Sequence, residues 1–268
     1  MFNTIIKLKM KIGEKNLKII SVNIQKGGCG KTTTVQVLAE MLSKDYGKKV
    51  LCIDSDAQCN LTNASAINIM ECQDHNFYTL LDGKSKLEQC IVHSKYYDLI
   101  PASIDLSTAD VDFGQISRDR YLLNQLNKTD YDFVLIDTPP ALGYLNLLSL
   151  SISTHVLIPT ECSYFSLMGL DQLFDTIMRV KQIANEDLQI LGILMIKYNA
   201  RANLNNAVYE GLKQMAEEMN TKVFETKIRE TIKVREAQSQ FEPVTDWAND
   251  SSAVVDYKEF VKELLEVL

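Results

Sequence analysis

Residues 21–42 read SVNIQKGGCGKTTTVQVLAEML, from Ser21 to Leu42, and this stretch decides the fold. A β-branched apolar run stops at Asn23, glycines 27, 28 and 30 let the backbone turn, and a helical pattern starts near Lys31. Strand, glycine-rich loop, Gly-Lys-Thr-Thr and helix in that order make an anion cradle, because loop N–H groups turn inward and the helix N-terminus favours negative charge. The pattern assigns Lys31 to the β- and γ-phosphates of a nucleotide, the Thr32 hydroxyl to Mg²⁺ and Thr33 to an α-phosphate oxygen. Gly27, Gly28, Cys29 and Gly30 supply the backbone around them. One position departs from the pattern. A standard phosphate loop, G-x-x-x-x-G-K-[ST], has glycine five residues before Gly30, where this chain has Gln25, and next to it stands a second lysine, Lys26.

Such a loop works with carboxylates placed at the ends of neighbouring strands, where they hold metal and water. "FVLIDTPP" ends an apolar run in Asp137, and "VLCIDSDAQCNLT" ends another in Asp54 and Asp56. With these, the short apolar runs at 18–23, 48–56, 131–140, 154–161, 189–199 and 221–228 alternate with helical patterns at 31–46, 165–184, 203–220 and 253–268. Strands apolar on both faces that alternate with helices predict an α/β fold, a twisted parallel sheet flanked by helices on both faces. Residues 62–130 are less regular and are expected to hold short helices around a minor strand at 98–101. No Pro/Gly-rich linker or internal repeat divides the chain, so residues 18–268 are read as one P-loop NTPase domain after a short extension, 1–17.

The sequence motifs "KGGCGKTT", "VLCIDSDAQCNLT" and "FVLIDTPP" resemble the deviant Walker A, Walker A′ and Walker B motifs of the ParA/MinD superfamily, and the surrounding sequence is most similar to its ParA/Soj group. The resemblance runs from about Lys18 to the C-terminus. It implies an ATPase with ATP and Mg²⁺ as cofactors that dimerises face to face around two nucleotides. In such a dimer Lys26 reaches the nucleotide of the other subunit, as an arginine finger does. It also implies that Asp56 positions the attacking water, that Asp54 supports the magnesium shell with Thr32 and Asp137, and that Asn199 reads the adenine. The family has proline after the second A′ aspartate and glycine two residues later; this chain has Ala57 and Cys59.

Partition ATPases of this kind hold DNA non-specifically as the ATP dimer and are switched off by a ParB-like centromere-binding partner. The chain carries a net charge of −7, so a DNA surface must be a local basic patch. Segment 222–235, KVFETKIRETIKVR, holds five basic residues against two glutamates. Lys227, Arg229, Lys233 and Arg235 from it, with Arg201, are the candidate DNA contacts. Lys233 matches a family arginine, whereas Glu230 replaces another. A MinD-like membrane switch would need a basic amphipathic C-terminal helix, but "VDYKEFVKELLEVL" has four acidic residues and two lysines. That tail is expected to pack on its own domain. An ATP-gated DNA-binding module with vestigial hydrolysis is the other alternative. Six scattered cysteines with no C-x-x-C pair exclude an iron–sulfur relative and point to a reducing cytoplasm, with nucleoid association through DNA. Residues 1–17 are interrupted by lysines before any apolar run reaches signal length and are too few for a helix-turn-helix reader.

Overall fold

The computed structural model describes residues 17–114, 118–199 and 204–268. Eight strands form one sheet: β1 (Lys18–Val22), β2 (Val50–Asp54), β3 (Val92–His93), β4 (Asp98–Ile100), β5 (Phe133–Asp137), β6 (His155–Glu161), β7 (Gln189–Tyr198) and β8 (Val223–Arg229). Their order is β3-β4-β2-β5-β1-β6-β7-β8, parallel throughout except for the antiparallel edge pair β3–β4. The helices are α1 (Lys31–Tyr46), α2 (Asn60–Ala64), α3 (Phe77–Asp82), α4 (Leu87–Cys90), α5 (Ala109–Phe113), α6 (Asp119–Leu126), α7 (Tyr144–Ile152), α8 (Tyr164–Ile183), α9 (Leu204–Glu218), α10 (Ile232–Ser239), α11 (Val244–Trp247) and α12 (Ser252–Leu265). Two single 3₁₀ turns accompany the short helices between β2 and β5.

Successive side chains on a strand point to opposite faces, and here each face has its own core. Ile20, Val22, Val50, Cys52, Phe133 and Leu135 join residues of α1, α8, α9 and α12. Ile19, Leu51, Ile53, Val134 and Ile136 join residues of α3, α5, α6 and α7. The apolar runs that lack alternation are therefore central strands covered on both sides. Tyr257, Phe260, Val261 and Leu264 of α12 are buried, so the tail does pack on the body of the protein. Among the described residues no helix is long and apolar enough to cross a membrane.

Register sets the position of the site. Val22 of β1 and Asp54 of β2 both pair with Asp137 of β5. The three sequence motifs therefore leave the sheet at one level, at the carboxyl ends of adjacent parallel strands, where ligands of open α/β sheets bind.

Candidate nucleotide site

The loop between β1 and α1 turns through two glycines with left-handed backbone, Gly28 (φ 75) and Gly30 (φ 60). Both conformations disfavour any residue with a Cβ. No side chain caps α1 and no acidic residue lies in its first turn, so the helix's first N–H groups and its positive end face the loop without competition. Lys31 is buried, and its Nζ donates to the carbonyls of Ile24 and Lys26 at 3.4 Å each. Burial lowers its pKa, against the attraction of Asp137, Asp56 and the Cys29 thiol. Cys29 is itself buried, and burial raises its thiol pKa, so it fills space beneath the loop.

At the foot of the loop the Thr32 hydroxyl donates to Asp137 Oδ2 at 2.6 Å. Asp137 is buried and its other oxygen, Oδ1, has no hydrogen-bond partner. Burial first, then the neighbouring Asp54, pushes its carboxyl up to about 8, against the pull of Thr32 and Lys31. A buried carboxylate oxygen without a donor is expensive, and a cation bound there would satisfy it. Among the described residues no cluster of three or more His, Cys, Asp or Glu is arranged to hold a metal. Mg²⁺ bound with a nucleotide needs only one or two protein oxygens, since phosphates and water supply the rest. Thr32 and Asp137 meet that requirement.

Asp54 is placed differently. Its Oδ2 accepts from the Thr62 N–H and hydroxyl, at 2.8 and 2.7 Å, and its Oδ1 accepts from the Asp56 N–H at 3.2 Å. Burial raises its pKa to about 6 against those hydrogen bonds. Asp54 thus ties β2 to the A′ loop and orients Asp56, which is half-buried at the mouth and accepts from the Gln58 N–H at 3.0 Å. Cys59, where the family has glycine, adopts left-handed backbone (φ 54) as the N-cap of α2 while its thiol is buried. Left-handed strain of about 1–2 kcal/mol is then offset by thiol burial. Cys59→Gly should change stability by less than about 1 kcal/mol, whereas Cys59→Val, β-branched at positive φ, should lose about 2 kcal/mol in urea unfolding.

Beside the phosphate loop lies a cavity of about 130 Å³ lined by Gly30, Thr33, Ile196, Lys197, Thr231, Arg235 and Gln238, among others. Gln238 Nε2 donates to the Thr33 hydroxyl at 3.2 Å and to Gln36 Oε1 at 3.1 Å, linking α10 to α1. A Cβ on Gly30 would come 2.6 Å from the Ile196 side chain that forms the cavity floor. The cavity therefore opens directly beside the phosphate cradle. Asn199 lies just past the end of β7, two positions beyond Lys197 of that lining. Lys197 and Gln238 escaped the sequence reading. Nothing marks Gln238 in a polar helix, but Glu161 ends an apolar strand and Lys197 stands one residue before the end of another, close to the signal that singled out Asp137.

The basic segment folds less simply than its charge suggests. Lys227 and Arg229 lie on β8, but Lys233 and Arg235 lie on α10. Lys227 stacks on the rings of Tyr209 and Tyr198, with Nζ 4.0 and 5.1 Å from their centroids. Arg229 pairs with Asp256 at 2.7 Å, Lys233 with Asp250 at 2.7 Å and Arg235 with Glu230 at 3.7 Å. Acidic partners therefore compensate most of the patch, and Arg229 and Arg235 also line the cavity. Arg201 lies outside the described residues.

A family model described as an AAA domain matches residues 17–190. The sporulation initiation inhibitor protein Soj of Bacillus subtilis is 35% identical over 251 residues, covering 92% of this chain and 98% of that protein. The chromosome-partitioning ATPase Soj of Treponema pallidum is 36% identical over 252 residues, covering 92% of this chain and 96% of its own length. Among solved structures, cobyrinic acid a,c-diamide synthase from Mycobacterium smegmatis with a bound ATP analogue and magnesium superposes with a TM-score of 0.79. It is 29% identical, covering 93% of this chain and 94% of that one. Matched by the AAA-domain model over more than half its length and by Soj proteins over nearly all of it, the chain belongs to the ParA/Soj family of partition ATPases.

Proposed function

We propose that this protein binds ATP with Mg²⁺, dimerises face to face around two nucleotides, holds DNA non-specifically in that state and lets go on hydrolysis stimulated by a ParB-like partner. The observation that carries the reading is the Thr32–Asp137 hydrogen bond at the foot of the phosphate loop, beside a buried carboxylate oxygen that lacks a donor. Thr32 and Asp137 would hold the metal, and Asp54 would keep the A′ loop in place behind them. When bound, Mg²⁺ neutralises charge that develops on the transferring phosphoryl group. Lys31 serves the phosphates of its own subunit, Thr33 an α-phosphate oxygen and Asn199 the adenine, and Asp56 orients the water. Lys26 supplies a second cation across the dimer.

Arg201, Lys227, Arg229, Lys233 and Arg235 are proposed for the DNA surface. Ion pairs as exposed as Lys233–Asp250 are weak, so a DNA phosphate displaces the carboxylate at little cost. The relatives named for chromosome partitioning support this role, and a cytoplasmic, nucleoid-associated location would follow from it. Fluorescence anisotropy on two unrelated duplexes, with ATP, ADP or no nucleotide across a salt series, tests it. Binding should need ATP, ignore sequence and fall at least about tenfold between 50 and 200 mM salt. Lys233→Ala should weaken both duplexes equally while steady-state ATPase persists. Nucleotide-independent or sequence-specific binding would refute this role and favour a switch that acts on a protein or membrane.

A further inference from the structure

Lys26, the residue that must reach into a second subunit, is already engaged within its own. Its Nζ donates to Glu161 Oε2 at 3.1 Å and to the Ser163 hydroxyl at 3.4 Å. The second carboxylate oxygen, Glu161 Oε1, accepts from Lys197 at 2.6 Å, and Lys197 also donates to the Gly28 carbonyl at 2.7 Å. Glu161 ends β6 and Lys197 stands next to the last residue of β7, so both are fixed to the sheet, whereas Lys26 and Gly28 belong to the loop. Lys197 holds this place in left-handed backbone (φ 51), which disfavours a residue with a Cβ. Burial would raise the Glu161 carboxyl, but hydrogen bonds from Lys197 and Lys26 bring it below the usual glutamate range.

We propose that Glu161 is a positioning residue for Lys26: it parks the ammonium on its own subunit and releases it to the partner's nucleotide when two ATP-loaded chains meet. The idea rests on the reading of Lys26 as the cation supplied across the dimer. Two features make the hold reversible. The Lys26 and Glu161 side chains are 36% and 24% exposed, the range in which an ion pair is weak and a polyphosphate outcompetes a single carboxylate. When Lys26 leaves, Glu161 is not stranded as an unpaired, largely buried charge, which would be costly, because Lys197 stays with it. Ser163 likewise keeps a partner, the Ser166 hydroxyl at 2.8 Å. The carboxylate therefore sets the protein concentration at which the ATP dimer forms, and Lys197 keeps that threshold low.

Glu161→Gln keeps the shape and an acceptor but removes the charge. In the nucleotide-free protein, acetylation of Lys26 by an amine-reactive reagent, followed by mass spectrometry, should speed up about threefold or more, with Lys31 unchanged. Lys197→Met should slow it, because Glu161 then has Lys26 alone. With a non-hydrolysable ATP analogue and Mg²⁺, the concentration for half-dimerisation by sedimentation should fall about three- to tenfold in Glu161→Gln and should not shift when Lys26→Ala is also present. Unchanged acetylation in Glu161→Gln, or weaker dimerisation, overturns the parking role. If Lys26→Ala dimerises and turns over ATP like the parent, the trans-lysine reading fails and takes the proposal with it. The acetylation rates then still report whether the ion pair exists, so the two failures are told apart.

Discussion

Asp137→Asn will make the nucleotide-free protein more stable than the parent and will also abolish most of its stabilisation by ATP and Mg²⁺. The parent buries a carboxyl with one unpartnered oxygen, in register with Asp54 on the next strand. Asparagine keeps an acceptor for the Thr32 hydroxyl and turns an N–H donor, in place of a negative charge, toward the acidic neighbour. The gain should be on the order of 1–2 kcal/mol near neutral pH. Its pH dependence has a definite sign. Burial and the neighbouring Asp54 push the folded carboxyl up to about 8, from an ordinary aspartate value of 3.8, so the parent loses stability as pH rises through that window and the asparagine variant does not. Thermal unfolding in EDTA at pH 5 and pH 8 should show the two proteins diverging at the higher pH. Repeated with Mg²⁺ and ATP, the order should reverse. A variant less stable than the parent in EDTA at pH 8 would show that the buried oxygen is satisfied without a cation.

The two lysines of the loop should fail in different ways. Lys31→Ala removes the cation buried beneath the cradle and leaves the Ile24 and Lys26 carbonyls without their donor. Nucleotide affinity should drop at least about a hundredfold, as expected for loss of a desolvated charge contact. Lys26→Ala should keep nucleotide binding by the monomer within about threefold of the parent, because it is the backbone carbonyl of Lys26, not its side chain, that contacts Lys31. It should nevertheless lose hydrolysis by about a hundredfold or more, as when a cation supplied in trans is removed. Titration with a fluorescent nucleotide and single-turnover hydrolysis separate the two losses. Equal defects in both assays for both variants would mean that the lysines serve one phosphate group from one side.

The central sheet and the phosphate loop were legible because each rests on a local rule. Apolar runs at β1, β2 and β5 need no partner to be recognised as buried strands, and glycine spacing before Lys31 specifies its own backbone. The minor strand expected at 98–101 is β4, but the two-residue β3 beside it carries too short a pattern to be seen. The basic segment was the harder case. Its charge count was correct, but charge in sequence says nothing about which carboxylates fold back onto it, and Asp250 and Asp256 come from the chain that follows α10. The same limit hid Gln238, whose meaning arises only where α10 meets α1. Glu161 was readable by the rule applied to Asp137; what sequence could not show is that two lysines converge on it.

α1 carries the phosphate cradle at its N-terminus, and its flank is fastened to the far end of the chain. Thr33 and Gln36 bond Gln238, the Thr34 hydroxyl meets the Tyr257 hydroxyl at 2.9 Å, and the buried Glu40 carboxylate accepts from the N–H groups of Val244 and Thr245. None of these partners falls within residues 17–190, the span that the AAA-domain model recognises. A fragment cut at that boundary would keep the glycines, lysines and threonines of the cradle and yet lose the helices that cover the flank of α1, exposing its apolar side chains to water. The span that the family model matches is thus shorter than the set of residues that brace α1, and side chains beyond residue 190 hold in place the helix that carries the cradle.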